Sequence, residues 1–177
     1  MDTSKIADIM TVRIADIIND SIVDGPGLRM TIFSQGCPHI CPGCHNPQTL
    51  PFDGGYIISC DEILRRAKKN PLLRGLTFSG GEPFVQAESF FYLAKTAAES
   101  HLDIVTYTGF TYEQLIRDAT SENFWLELLS HTDILVDGPF VEALRTLDTP
   151  FVGSKNQRVI DVKASMAHSE IVLFKFA

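Results

Sequence analysis

The sequence predicts an α/β protein with a mostly parallel sheet, forming a single domain over residues 1–177. Two observations carry this prediction. Short apolar, β-branched runs alternate with amphipathic helical segments along most of the chain. The length of 177 residues also suits one domain better than two. At this size about 70% of the surface of the unfolded chain can be buried, so the core needs no disulfide bonds.

The first part of the predicted sheet surrounds a long irregular segment. Loose alternation predicts an edge strand over 12–18, and a β-branched apolar run predicts a buried strand over 28–33. Residues 34–55 are rich in Pro, Gly and Cys. An irregular loop of more than about 15 residues inside a domain is usually functional or disordered, and its three cysteines favour a function. A capping pattern at Ser59 then begins a helix that ends before Pro71.

The rest of the chain repeats strands and helices. We predict strands over 75–78, 103–107 and 133–136, helices over 86–100, 111–119 and 124–129, and terminal strands over 157–162 and 170–176. Ligands of parallel sheets bind beyond the carboxyl ends of the strands. The unusual residues follow those ends, and we expect them to meet at one rim of the sheet: the cysteine loop, 80–82, 108–109 and 137–138.

Charge and hydropathy exclude several classes of function. The net charge is −7, and no long basic run suggests a nucleic-acid partner. Residues 1–10 lack the features of a secretory signal, and no stretch approaches the ~20 apolar residues of a membrane span. We therefore expect a cytoplasmic protein with neither a nucleic-acid nor a membrane partner. Thiols stay reduced there, so its four cysteines need a chemical explanation.

The strongest motif is the segment 36–45, which holds three of the four cysteines, Cys37, Cys41 and Cys44. Three thiolates this close can converge on one metal centre. Ligand chemistry leaves two alternatives open. One is zinc, with His39 or His45 completing a Cys₃His site. The other is an iron–sulfur cluster, which takes thiolate ligands.

The spacing C-x₃-C-x₂-C resembles the signature of the radical S-adenosylmethionine enzymes. The resemblance implies that Cys37, Cys41 and Cys44 bind three irons of a 4Fe-4S cluster. The fourth iron is then open to the amino and carboxylate groups of S-adenosylmethionine. Many members have an aromatic residue before the last cysteine, where this chain has Gly43. His45, on the other side of that cysteine, is expected to flank the nucleoside.

A second motif, Gly-Gly-Glu-Pro, follows the predicted strand at 75–78. Gly80 and Gly81 permit close backbone approach and a positive φ. The resemblance implies that the carboxylate of Glu82 accepts a charge-assisted hydrogen bond from the ammonium group of S-adenosylmethionine. Residues 43–45 and 80–82 are therefore the expected contacts of this cofactor. The two motifs together favour the cluster over zinc.

Further segments resemble one branch of the superfamily. Residues 21–29 and 41–47 are similar to the glycyl-radical activating enzymes, and 137–140 and 153–161 to the activating proteins of anaerobic ribonucleoside-triphosphate reductases. The resemblance implies reductive cleavage of S-adenosylmethionine to a 5′-deoxyadenosyl radical, which generates a glycyl radical on the large reductase subunit. Reduced flavodoxin or a similar protein would donate the electron. With so short a chain, it implies a partial, open βα barrel.

Two alternatives remain: an activator of another glycyl-radical enzyme such as pyruvate formate-lyase, or a non-catalytic zinc-binding module. Asn156 and Arg158 either contact the nucleoside or partner, or belong to a polar turn entering an edge strand. We expect no ligand role for Cys60, His101 or His131.

Overall fold

Seven strands form one sheet in the computed structural model, which describes residues 9–176. The strands are β1 (Thr11–Ser21), β2 (Arg29–Ser34), β3 (Tyr56–Ser59), β4 (Gly75–Gly80), β5 (Asp103–Tyr107), β6 (Ile134–Asp137) and β7 (Arg158–Asp161). The helices are α1 (Cys60–Ala67), α2 (Ala87–Glu99), α3 (Tyr112–Arg117), α4 (Trp125–Ser130) and α5 (Val162–His168). Short 3₁₀ turns cover Pro47–Thr49, Pro83–Gln86 and Glu142–Leu144.

The sheet is open and mixed, with the order β3-β1-β2-β4-β5-β6-β7. Its four central strands, β2, β4, β5 and β6, are parallel, so the predicted mostly parallel sheet is confirmed for the centre of the sheet only. The strands β1 and β3 on one side and β7 on the other are antiparallel to their neighbours. The carboxyl ends of the four parallel strands therefore lie at one edge, where the predicted rim residues follow them.

Two strand predictions need correction, and one strand, β3, was not predicted. The strand predicted at the sheet edge over 12–18 is longer, and it is not the edge, because β3 pairs with it from Thr11↔Ser59 to Ile14↔Tyr56. The four residues of β3 are too few to show a periodicity. The terminal strand predicted over 170–176 is reduced to a bridge, Ile160↔Leu173.

The helix α5 was not predicted, because its short sequence follows β7 directly. Its N-terminus is capped by Asp161, whose Oδ1 accepts a hydrogen bond of 2.9 Å from the backbone N–H of Ala164. The predicted cap of α1 is confirmed, since Ser59 Oγ accepts from the N–H of Glu62 at 3.2 Å.

The main core lies between the sheet and the helices. It is built from the alternate apolar residues of the strands and the apolar faces of the helices. Phe78 of β4 and Phe90 of α2, for example, are fully buried with ring centroids 4.8 Å apart. A smaller cluster packs around the opposite face: Val105, Ile134, Val136 and Val159. Among residues 9–176, no helix has the length and apolar character needed to cross a membrane.

The amino ends of the parallel strands are tied by a buried arginine. Arg29, in the segment 21–29, is fully buried beside the first residues of β4 and β5. Its guanidinium donates to Thr77 Oγ1 and to the carbonyl oxygens of Pro26, Leu76 and Asp103, and it pairs with the Asp103 carboxylate at 2.5 Å. Arg29 therefore lies at the edge of the sheet opposite the rim.

Candidate functional site

The cysteine loop begins where β2 ends and is closed by backbone hydrogen bonds. The N–H of Gly36 donates to Thr49 O at 2.8 Å, and the N–H of Cys37 donates to Leu50 O at 3.1 Å. The buried side chain of Gln35 donates from Nε2 to two further carbonyl oxygens, those of Gln48 and Pro51. These bonds satisfy backbone groups that secondary structure leaves unpaired, and they fix both ends of the loop.

The three cysteines of the loop are half-buried free thiols. Between them the backbone turns twice through left-handed conformations, at Ile40 (φ 46°) and Gly43 (φ 71°). The N–H of Cys44 donates to Cys41 O at 3.1 Å, and the N–H of Asn46 donates to Cys44 Sγ at 3.4 Å. Hydrogen bonds from backbone to sulfur are among the contacts that tune cluster thiolates.

Burial raises the pKa of the Cys37 thiol. Backbone hydrogen bonds from His39 and Ile40 oppose this increase, while the nearby Glu82 carboxylate adds to it. Within residues 9–176, the His, Cys, Asp and Glu side chains form no ready group of three or more metal ligands. The chemistry of the donor set nevertheless fits an iron–sulfur cluster, because three free thiols stand on one loop and backbone N–H groups donate to the sulfurs of Cys37 and Cys44.

The Gly-Gly-Glu-Pro motif lies against the start of the cysteine loop. The N–H of Gly81 donates to Ser34 O at 2.8 Å, and the N–H of Glu82 donates to Gly36 O at 2.9 Å. A Cβ atom at Gly81 would lie 2.5 Å from Gly36 O, so this close approach requires a glycine. Gly80 has a φ of 88°, which glycine adopts without strain.

The carboxylate of Glu82 is fully buried and accepts hydrogen bonds from three segments of the rim. Its Oε1 accepts from the N–H of Phe84 at 3.0 Å. Its Oε2 accepts from the N–H of Gly109 at 2.9 Å, and the hydroxyl of Thr108 reaches both oxygens at 2.9 and 3.0 Å. Nε2 of His39, in the cysteine loop, lies 2.9 Å from Oε2. Since a carboxylate accepts, His39 is the donor.

The predicted meeting of loops at the rim is therefore present around Glu82, but its hydrogen bonds with His39, Thr108 and Gly109 were not predicted from the sequence. His39 was considered as a zinc ligand, and Thr108 and Gly109 as part of a turn. His39 instead packs on Gly109 and meets the ring of Phe110 edge-on, with centroids 4.5 Å apart. Local spacing gives no information on which neighbour an imidazole contacts.

The segment after β6 covers the other side of the cysteine loop. The ring of His45 packs against that of Phe140 at a centroid distance of 4.7 Å, and Gly153 lies beside both. Glu142 lies over Gly43, where an added Cβ would be 2.8 Å from its carboxyl carbon. The structure thus brings Gly43 and His45 into contact with the β6–β7 connection.

Asn156 and Arg158 make contacts within the chain. Asn156 Nδ2 donates to Pro139 O at 2.8 Å. The Arg158 guanidinium pairs with both Asp137, at 2.5 Å, and Glu113, at 2.8 Å. These contacts favour the reading of this segment as a polar turn entering β7, which is an edge strand of the described sheet.

Cys60, His101 and His131 lie outside this cluster of loops. Cys60 is fully buried at the start of α1, and burial raises the pKa of its thiol to about 12, so that it remains protonated. His101 is exposed in the turn after α2. His131 ends α4, where its Nδ1 lies 3.0 Å from Glu127 O.

Comparison with known proteins places this site in a family. The family model described as "4Fe-4S single cluster domain" matches residues 23–160. The anaerobic ribonucleoside-triphosphate reductase-activating protein of Vibrio cholerae is 33% identical over 145 residues, which cover 77% of this chain and 89% of that protein. Its counterpart in Escherichia coli K12 is 32% identical over 146 residues, which cover 78% of this chain and 91% of that protein.

Two further proteins are similar over less of their length. The pyruvate formate-lyase-activating enzyme of Clostridium pasteurianum is 33% identical over 130 residues, which cover 70% of this chain and 50% of that enzyme. Among solved structures, QueE from Escherichia coli has a TM-score of 0.48 and 18% identity, over 58% of this chain and 54% of that one.

Proposed function

The chain belongs to the anaerobic ribonucleoside-triphosphate reductase-activating proteins of the radical S-adenosylmethionine superfamily, and from this premise we propose that it generates a glycyl radical on such a reductase. In the proposed reaction, one electron breaks a carbon–sulfur bond of S-adenosylmethionine and gives methionine and a 5′-deoxyadenosyl radical. This radical takes a hydrogen atom from Cα of a glycine in the large reductase subunit. The products are 5′-deoxyadenosine and a glycyl radical.

The observation that carries the proposal is the contact between the two motifs. Cys37, Cys41 and Cys44 stand on the loop whose His39 bonds directly to Glu82 of the Gly-Gly-Glu-Pro turn. The proposed cluster ligands and the proposed acceptor for the ammonium group of S-adenosylmethionine therefore belong to two adjoining segments. This arrangement supports binding of both cofactors at one rim, where the chemistry needs them in contact.

We assign the three cysteines as ligands of three irons of a 4Fe-4S cluster, with the fourth iron open to S-adenosylmethionine. When bound, the cluster supplies the electron that cleaves the cofactor. The protein contributes the buried acceptor at Glu82, glycines that allow close approach at Gly80 and Gly81, and flanking groups at Gly43 and His45. No side chain besides these cofactor-binding residues is assigned a catalytic role.

The remaining assignments follow from the same premise. We propose that residues 1–177 act as one domain and that the open sheet curves as a partial βα barrel. Its mouth would admit the glycine loop of the large subunit, because a glycine presents no side chain to block the approach. Reduced flavodoxin or a similar donor would deliver the electron, and the cytoplasm would keep the free thiols reduced.

Activation of pyruvate formate-lyase is the second candidate, because the enzyme from Clostridium pasteurianum matches 70% of this chain. The test mixes the anaerobically reconstituted, reduced protein and S-adenosylmethionine with the large reductase subunit or with pyruvate formate-lyase. Electron paramagnetic resonance then measures the glycyl radical. We expect the signal with the reductase. A signal with pyruvate formate-lyase alone would overturn the assignment of the partner.

A further inference from the structure

All hydrogen-bond acceptor positions of the Glu82 carboxylate are occupied by donors of the described residues. A carboxylate offers about four lone-pair positions. Among the described residues, four donors occupy them: the N–H groups of Phe84 and Gly109, the hydroxyl of Thr108 and Nε2 of His39. The side chain of Glu82 is also fully buried. A ligand that donates to this carboxylate must therefore displace one of the four donors.

Three of these donors are fixed by the backbone or by burial. The N–H groups of Phe84 and Gly109 belong to the turns that follow β4 and β5, so they cannot move without those turns. Thr108 is 5% exposed, and its Oγ1 also accepts from the N–H of Phe110 at 3.1 Å. Its hydroxyl therefore has a second contact that holds it in place.

The fourth donor is of a different kind. The side chain of His39 is 17% exposed and stands on a loop, so its ring can leave by rotation of its own side-chain torsions. The ring is held by its contacts with Gly109 and Phe110 in addition to the hydrogen bond. Of the four donors, His39 can leave with the least rearrangement.

We propose that His39 is a positioning residue. In the ligand-free protein it donates to the position on the Glu82 carboxylate that would accept from the ammonium group, and it leaves that position when S-adenosylmethionine binds. This inference rests on the proposed function, because it takes Glu82 as the acceptor of the cofactor's ammonium group. The imidazole keeps the buried carboxylate hydrogen-bonded between turnovers, which avoids leaving an acceptor unpaired. Loss of that bond on binding couples the position of the cysteine loop to occupancy by the cofactor.

Competition between His39 and S-adenosylmethionine changes the apparent affinity for the ligand in a known direction. An internal group that fills the position lowers the apparent affinity of the ligand by the fraction of molecules in which the position is open. Removal of His39 must therefore strengthen binding. If His39 merely braced Glu82 or the loop, its removal would weaken binding instead.

Gly109 offers a second way to remove the contact. A Cβ at Gly109 would lie 2.3 Å from Cδ2 and 2.6 Å from Nε2 of His39, so Gly109→Ala pushes the ring away from Glu82. The cysteine loop keeps its sequence in this variant. His39→Gln is the matched control, because its amide Nε2 restores a donor near the same place.

The experiment measures equilibrium binding of S-adenosylmethionine by calorimetry to the anaerobically reconstituted protein without reductant, so that no cleavage occurs. We expect His39→Ala and Gly109→Ala to bind about three- to tenfold more tightly than the wild type, and His39→Gln to bind like the wild type. Binding of 5′-methylthioadenosine, which lacks the ammonium group, should not change.

Unchanged or weaker binding in both His39→Ala and Gly109→Ala would overturn the inference while leaving the proposed function intact. If His39→Ala assembles no cluster, the result from Gly109→Ala decides. Failure of the cluster-loaded wild type to bind S-adenosylmethionine would overturn the proposed function, and this inference with it.

Discussion

Nε2 of His39 lies 2.9 Å from Oε2 of Glu82, so a hydrogen bond joins the two sequence motifs across 43 positions of the chain. The same carboxylate also accepts hydrogen bonds from backbone N–H groups in the turns after β4 and β5. Glu82 therefore connects the segments of the rim, and it is also the proposed acceptor for the ammonium group of S-adenosylmethionine.

The first prediction concerns Glu82. Replacing Glu82 with Gln puts an amide NH₂ group where the surrounding groups are donors, so buried polar groups lose their partners. We expect Glu82→Gln to lower the free energy of unfolding by about 2–3 kcal/mol. Urea unfolding followed by circular dichroism measures the change. Glu88→Gln, at an exposed position in the first turn of α2, should change it by less than about 0.5 kcal/mol. Equal stability of the two variants would contradict the role of Glu82.

The second prediction concerns Arg29, which is buried at the amino ends of the parallel strands. Lysine keeps the charge of Arg29 but cannot reach its several acceptors at once. We expect Arg29→Lys to cost about 2–4 kcal/mol in urea unfolding. Arg74 also pairs with Asp103, at 2.9 Å, but is 57% exposed, so Arg74→Lys should cost less than about 1 kcal/mol. A smaller loss in Arg29→Lys than in Arg74→Lys would refute this account of the fold.

The third prediction is a pH dependence at the edge of the sheet. The hydrogen-bonded Arg158 guanidinium lowers the pKa of Glu113 to about 2. The unfolded chain therefore takes up this proton first, near pH 4.3. The stability from the pair is complete above about pH 4.3 and is lost as the pH falls toward about 2. Because Glu113 is 58% exposed, screening limits the contribution to about 0.5 kcal/mol.

Urea unfolding of the wild type and of Glu113→Gln at pH 6 and pH 3 measures this contribution. The wild type should be the more stable protein at pH 6, and the difference should shrink at pH 3. A difference that stays constant or grows on acidification would show that the ion pair does not stabilise the fold.

Much of the fold follows from the sequence because the central strands are apolar and β-branched and are separated by capped helices. The cap at Ser59 and the strand at 103–107 were predictable for this reason. β3 was not, because four residues show no periodicity. α5 was hidden because it follows β7 without a turn, although Asp161 three residues before Ala164 is a capping signal in retrospect.

The site could be predicted where its chemistry depends on residues that are close together in the sequence. The cysteine spacing and the Gly-Gly-Glu-Pro turn specify donors, an acceptor and close backbone approach within a few residues each. The partners of Glu82 could not be predicted, since the contacts of His39 and Thr108 depend on how three separate loops meet in space. The same holds for Arg158, whose two carboxylate partners come from α3 and β6.

The most direct test of the central claim is formation of 5′-deoxyadenosine by the anaerobically reconstituted protein, reduced in the presence of S-adenosylmethionine. Cys41→Ala removes a proposed cluster ligand, and Cys60→Ala is the control because Cys60 is buried at the start of α1. We predict 5′-deoxyadenosine from the wild type and from Cys60→Ala, and none from Cys41→Ala. A colourless wild type that holds zinc and forms no 5′-deoxyadenosine would contradict the radical mechanism and make the cysteine loop a structural metal site.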